Sequence, residues 1–523
     1  MGSFQITYDD FSGGQYMGPR STNWPKNTWS GENVISMPDG RLLPTGAMTA
    51  GTYSSGTRVS ASILDLHIDG NVAFAFVNWV NSTPTDFPKL VYWTTIHNGT
   101  AFPVTGTAET LNGTPVGQVA YDNSQFLAET FYYLDSAGTI FSITSPNALS
   151  PLVQATVSSA LAGTTVTDMK IWGVRQVAYG GFSRRLYYSI PPVAPATLPT
   201  WDASTQYYEF PGIISEVIPR AQDLIVICGG GVFSLTGVLG SSVTNQNISG
   251  QTNVMEGMSG STLSGRTINF FDQSNVGTLD GHIYAMEGTY VQPIATMLTD
   301  DMIAAQPFGY EQAVIGTVSG ERLVAMIRTG VCYAEKISGT WTRLNFSSST
   351  IDPDYTNQQK IGKTTSSALN EYFCVASIDS STSGKTLKLD RFIHNVNGLT
   401  NKDAKFRYGT AVAAPGNDVP TGTVTLPEYF HTKPFTVKEM FVEYESTTTS
   451  VVTASIIPTG NIDVLAANIS SMTSSGASNI TQTAAATVAE RFLPNNANKA
   501  FGIKPKLSIT SAIVKRVILN CED

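Results

Sequence analysis

Four strand-length runs stand side by side in EQAVIGTVSGERLVAMIRTGVCYAEKISGTWTRLNF, residues 311–346, separated by the turn signals Ser319-Gly320, Arg328-Thr329-Gly330 and Ser338-Gly339-Thr340. Connections this short force neighbouring strands to run antiparallel. The run from Leu323 to Ile327 is apolar throughout, as a strand covered on both faces must be, whereas Val331, Tyr333 and Glu335 alternate with Cys332, Ala334 and Lys336. One covered strand inside a four-stranded meander predicts a propeller blade.

The pattern recurs along the chain. AFAFVNWV is followed by KLVYWTTI, TFYYLD by GTIFSI, RRLYYSI by QYYEF, DLIVIC by GVFSLTG, RTINFFD by GHIYAME, RLVAMI by GVCYAEKI, and EYFCVASID by KTLKLDRFI. The turn centres of these pairs fall near residues 84, 137, 197, 230, 277, 329 and 382, a period of about 50 that suits a propeller repeat. The expectation is an all-β chain with a β-propeller of about seven four-stranded blades over residues 51–400. The uneven step from 197 to 230 leaves six or eight blades open, and a β-sandwich with long hairpins is the competing reading.

After residue 400 the texture changes. In TVKEMFVEYES, Met440, Val442 and Tyr444 fall on one face and Glu439, Glu443 and Glu445 largely on the other, the signature of a half-buried strand. The Ser/Thr/Ala-rich stretch 465–489 reads as a long loop or an irregular strand pair, and KLSITSAIVKRVILN supplies late strands. A separate β-sandwich-like domain is expected over 401–523. Residues 1–50 have neither period and read as an extended N-terminal arm.

Composition narrows the function classes. The 523 residues exceed what one hydrophobic core supports, and only 14 % are charged, while 46 glycines and 26 prolines match short strands joined by tight turns. The net charge of −9 and the lack of any Lys/Arg run argue against a basic face gripping a phosphate backbone. Cys228, Cys332, Cys374 and Cys521 lie far apart without a CxxC pair, so buried free thiols are expected rather than a zinc site. No apolar run reaches about 18 residues and no signal-peptide pattern opens the chain, so cytoplasmic synthesis without membrane insertion is expected.

A search for catalysis finds no constellation. YLDSAGTIF, at 133–141, places Asp135 three residues before Gly138, against two in the repeated S-x-D-x-G-x-T-W turns of sialidase-type propellers, and reads as a hairpin turn. STSGKTLKL contains Gly-Lys-Thr, but Asp379 stands where a P-loop needs its first glycine. CGGGVF, at 228–233, lacks dinucleotide-binding spacing and reads as a tight turn. His67, His97, His282, His394 and His431 are too far apart to share a local metal face, the pairs Asp9-Asp10 and Asp300-Asp301 read as solvated or capping, and DPDYTN at 352–357 lacks the glycine and closing glutamate of a calcium loop. The expectation is a protein that is not an enzyme, with no catalytic residue, no metal and no cofactor.

The arm carries the most specific signal. DFSGG at 10–14, a proline-containing spacer, Asn33, and PDGRLLPTG at 38–46 together resemble the N-terminal signature of tail nozzle (tail tubular) and related virion β-propeller proteins of short-tailed double-stranded DNA bacteriophages. One departure is Pro44-Thr45, where relatives carry a basic residue before the final glycine. The resemblance implies a structural virion protein of the tail: a ring of subunits, a homo-hexamer, extending the DNA channel below the portal and adaptor, contacting tail fibre or needle proteins, and letting double-stranded DNA pass without specific binding. Candidate interface residues of the arm are Phe11, Gly13, Gly14, Tyr16, Trp24, Trp29, Asn33, Asp39 and Gly40, resting either on their own chain or on a neighbouring subunit. Two other readings stay in play: a distal tail hub or receptor-binding propeller using Trp79, Trp93 and Trp201 as contacts, and a carbohydrate-active propeller enzyme.

Overall fold

The computed structural model describes residues 2–15, 26–32, 34–36, 40–44, 49–53, 58–69, 72–81, 86–94, 105–122, 129–144, 152–191, 198–229, 231–247, 421–459, 470–474, 486–495 and 499–523. Between 259 and 395 it describes the strands, almost entirely as backbone.

Every described element is β, in seven four-stranded antiparallel sheets and one ten-stranded sheet. Blade 1 comprises Arg58–Asp69, Val72–Asn81, Asp86–Trp93 and Thr107–Thr110; blade 2, Ala120–Asp122, Thr130–Leu134, Ile140–Thr144 and Val153–Ser158. Blade 3 comprises Asp168–Trp172, Arg175–Tyr179, Arg185–Tyr188 and Tyr207–Glu209; blade 4, Ile214–Pro219, Asp223–Cys228, Gly231–Val238 and Ser242–Asn247. Blades 5 and 6 run Ser259–Ala295 and Val314–Leu344, four strands each. From blade 2 through blade 7 and on to blade 1, the first strand touches the first strand of the next blade, which places these strands innermost. The second strand is the covered one: all five residues of Thr130–Leu134 and all six of Asp223–Cys228 are buried. This is the position that Leu323 to Ile327 occupies in blade 6.

Blade 7 closes the ring. Lys360–Thr365, Asn370–Asp379 and Thr386–Asn395 are its first three strands, and its fourth is Thr49–Tyr53, from the other end of the chain, paired antiparallel from Leu387↔Tyr53 to Arg391↔Thr49. The innermost strand of blade 7 then lies against that of blade 1. An outer strand borrowed from before blade 1 locks a ring whose ends would otherwise separate.

Blade 3 corrects one expected centre. RRLYYSI and QYYEF do pair, but as the third and fourth strands, joined through the long connection around 189–206. The turn equivalent to the others is at 180–184, where Gly180 and Gly181 both adopt positive φ. Moving the centre from 197 to near 182 removes the uneven step, and seven blades remain.

The C-terminal domain is one sheet bent around one core. Ala500–Glu522 is central, with Tyr429–Thr459 along one edge and Ser3–Tyr8, Leu42–Pro44 and Thr421–Thr425 along the other. Register breaks between Glu443 and Tyr444 and between Ser446 and Val451, together with the positive φ of Ser511, bend these long strands. Met440, Val442 and Tyr444 are buried as the alternation requires, while Glu443 and Glu439 pair with Arg516 and Arg491. The arm expected as a separate region over 1–50 is instead part of two folding units. Its strands from Ser3 to Pro44 build the C-terminal sheet, and Thr49–Tyr53 belongs to blade 7.

A chain lacking residues 1–53 therefore loses the closing strand of the propeller and one flank of the C-terminal sheet. The expected result is loss of the cooperative thermal transition in circular dichroism; an unchanged midpoint would show that these pairings contribute nothing.

Candidate functional site

The residues behind the arm's resemblance converge on one knot. Phe11 N donates to Gly40 O at 2.9 Å, joining the two halves of the signature across 28 intervening positions. Asp10 turns the chain by accepting Ser12 N at 2.8 Å, and its Oδ1 lies where a Cβ on Gly40 would sit, 2.8 Å from that position. Gly40 has φ +78, so a side chain there meets both backbone strain and Asp10. Ser36 Oγ donates to Phe11 O at 2.6 Å and accepts from Trp29 Nε1 at 2.7 Å. Gly13 N donates to Asn27 O at 3.0 Å, and a Cβ on Gly13 would lie 2.8 Å from the Asn27 carboxamide.

Phe11 and Trp29 are wholly buried, in the same core as Val34, Leu42, Leu426 and Leu507. They are thus packed inside their own domain, the first of the two placings left open for the arm residues. Gly14 lies in the short strand Gly14–Gln15, paired parallel with Thr28 and Trp29. Tyr16, Trp24, Asn33 and Asp39 lie outside the described residues. Two more contacts fasten the knot to the C-terminal sheet: Tyr8 OH donates to Pro427 O at 2.8 Å, and Arg41 pairs with Glu445 at 2.6 Å.

A second polar constellation lies along the innermost strands of blades 1 to 4, and sequence reasoning missed it. Asp65 Oδ2 accepts Val119 N from blade 2 at 2.8 Å, while its Oδ1 accepts Leu66 N. Asp168 of blade 3 accepts Gln118 N at 2.8 Å and Thr167 Oγ1 at 2.6 Å. Glu216 of blade 4 accepts Tyr179 OH at 2.8 Å, and Gln118 Nε2 reaches it at 3.1 Å. Each carboxylate thus staples its blade to a neighbour by taking up N–H or O–H groups that the blade seam would leave unpaired. Gly180 makes room for Asp168, since a Cβ there would lie 2.2 Å from its Oδ2.

Burial raises the pKa of Asp168, opposed by the bonds from Thr167 and Gln118 and reinforced by Glu216. Burial likewise raises Tyr179, with Glu216 adding to it. His67 sits on the same strand face as Asp65 and Asp69, its ring 4.1 Å from that of Tyr121, which donates to Asp69 at 2.7 Å. Burial lowers the His67 pKa more than the two aspartates raise it, so the imidazole is held neutral. The signal available in the sequence was a lone carboxylate at the head of an apolar strand, as in TDMKIW and SEVIP.

The arrangement is structural in its chemistry. The three carboxylates have their oxygens engaged by the protein, and among the described residues no three His, Cys, Asp or Glu side chains gather as metal ligands. Asp135 accepts Ala137 N and Thr139 N across a turn in which Gly138 has φ +80, and Cys228 pairs with Gly231 across its tight turn, as expected for both. Cys228 and Cys521 are buried free thiols. His431 is half-buried and stacks on Phe4 at 5.0 Å. Of the tryptophans considered for recognition, Trp93 is fully buried and Trp201 nearly so, which removes them as exposed contacts; the Trp79 side chain lies outside the described residues. His97, His282, His394, Lys385, Asp300-Asp301 and DPDYTN also fall outside the described side chains. Among the described residues, no helix is long and apolar enough to cross a membrane.

Fold and site together define a seven-bladed β-propeller joined to a bent β-sheet domain through its own N-terminus. No family model matches the chain, and no curated protein matches it. Among solved structures it is similar to the AfRom2 CNH domain at 10 % identity and a TM-score of 0.39, covering 64 % of this chain and 96 % of that one. It is similar to virginiamycin B lyase from Staphylococcus aureus at 9 % identity and a TM-score of 0.38, covering 63 % and 94 %. A Mycobacterium tuberculosis puromycin-hydrolyzing peptidase matches at 9 % identity and a TM-score of 0.40, covering 74 % of this chain and 61 % of that one. Likeness this distant carries nothing about activity.

Three substitutions test the two constellations. Phe11→Ala removes a fully buried ring and is expected to cost about 3–5 kcal/mol in denaturant unfolding. Asp168→Ala leaves the Gln118 N–H unpaired and is expected to cost about 1–3 kcal/mol. A folded-state His67 pKa below the unfolded value means the unfolded chain binds the proton more readily. His67 therefore contributes stability above about pH 6.5 that is lost as pH falls below it. Chemical denaturation from pH 7.5 to 5 should show this loss in the wild type and a flatter profile in His67→Phe.

Proposed function

We propose that this chain is a structural virion protein of a tailed bacteriophage, a tail nozzle subunit that forms a ring extending the DNA channel below portal and adaptor, holds the genome and then lets it out. The observation that supports this most is the knot at Phe11 and Gly40. The ordered residues of the resemblance bond to one another, so their sequence and spacing answer to one physical requirement instead of being a chance set of small and aromatic residues.

In this reading the arm is an internal clasp. Contacts to neighbouring copies fall instead to side chains that the fold leaves out, such as Phe182, 82 % exposed, and Phe430, 60 % exposed and stacked on Phe501. The net charge of −9 per chain gives −54 for six, a ring with weak hold on phosphates, so DNA slides through without sticking. The role is mechanical and calls for neither catalysis nor a cofactor. It belongs to the virion tail, after synthesis in the host cytoplasm.

Native mass spectrometry of the full-length chain, alone and with the portal and adaptor of its virion, tests the proposal. A closed ring that forms on the adaptor is the expected outcome. A monomer under both conditions, or glycan binding without a ring, would overturn it in favour of a receptor-recognising propeller.

A further inference from the structure

Four side chains on the facing sides of blades 2 and 3 are buried with polar atoms that no protein group pairs. They are Tyr132 through its hydroxyl, Ser142 through Oγ, Gln176 through both amide atoms, and Trp201 through Nε1. Gln176 is 3 % exposed and Ser142 1 %, so bulk solvent reaches neither.

The four belong to one place. Tyr132 and Trp201 pack in a single cluster with Met169, Ala178 and Tyr187. Ser142 is directly opposite Tyr132 in the strand register, which puts both side chains on the same face. The Gln176 amide lies beside the Tyr132 hydroxyl, near enough to oppose the rise that burial causes in its pKa, yet without a bond of normal geometry. The Gln176 backbone is already tied on both sides to Ser189, whose neighbour Ile190 pairs with Thr200, one residue before Trp201.

Donors and acceptors define what fits. Trp201 offers only a donor, Gln176 offers two donors and one acceptor, and each hydroxyl offers one donor and accepting lone pairs. All four are neutral, so an ion placed among them would lack a counter-charge. A guest that accepts two bonds and donates two matches this set. We infer that the seam between blades 2 and 3 is an internal water site, where ordered water bridges Gln176 to Tyr132 and Trp201 and joins the two blades.

A crystal or cryo-electron structure of the full chain, at a resolution that places water, tests this directly. Ordered density within hydrogen-bond distance of the Gln176 amide and of Tyr132 or Trp201 is expected. A dry seam, with the Gln176 amide turned onto protein partners, overturns the inference. Thermal unfolding of Gln176→Leu provides an independent reading. If water bridges the amide, the variant's midpoint falls. If the amide is an unpaired liability in a dry seam, the midpoint rises, and the site is refuted.

Discussion

The pairing of Thr49–Tyr53 with Thr386–Asn395 is the constraint on which the rest of this structure depends. Seven meanders joined only in sequence form an open row whose first and last blades each expose a face. Supplying the last blade's outer strand from before the first blade closes the row into a ring, and antiparallel register over five residue pairs fixes which strand goes where. The same N-terminal segment, a few residues earlier, has already entered the C-terminal sheet through Ser3–Tyr8 and Leu42–Pro44. One stretch of chain thus holds both units, and the knot at Phe11, Ser36 and Gly40 lies between the two strands, Ser3–Tyr8 and Leu42–Pro44, by which it enters the C-terminal sheet.

Within the ring, cohesion between blades is partly polar. Apolar faces supply most of the seam, as in the cluster of Phe74, Phe76, Phe131 and Tyr133 between blades 1 and 2. At the innermost strands, however, backbone groups approach the axis where no further strand can pair them. Asp65 and Asp168 meet that demand as charge-assisted acceptors, Glu216 takes up the Tyr179 hydroxyl and the Gln118 amide, and each reaches into an adjoining blade. The arrangement explains how a chain with few charged residues places several of them inside: they are fully engaged, and removing one leaves its donor without a partner.

The arm and the tryptophans show the limit of reading partners from exposed-looking sequence. An aromatic among glycines and prolines, such as Phe11 or Trp29, has the same local pattern whether it rests on its own core or on another molecule. Burial decided for the core. Trp93 and Trp201 followed the same course, because a large ring beside strand residues lowers the free energy by entering the nearest seam. Among the described residues, the exposed rings Phe182 and Phe430 stand in ordinary turn and strand contexts with no distinguishing pattern around them.

What the sequence by itself determined was local and periodic. The strand runs, their turns, the apolar run of a covered strand at Leu323 to Ile327, the alternation at Met440, Val442 and Tyr444, and a count of about seven follow from side-chain period and from Gly and Asp chemistry at turns, which act over a few residues. Only the tertiary structure decided that the arm completes two sheets, that the centre of blade 3 lies at 180–184 and not in its longer connection, that the C-terminal domain is one bent sheet, and that Asp65, Asp168, Gln118 and Glu216 meet. These depend on which distant strands share a register. Such pairing gains its free energy from backbone groups that every residue carries alike, so it leaves no mark in the order of side chains.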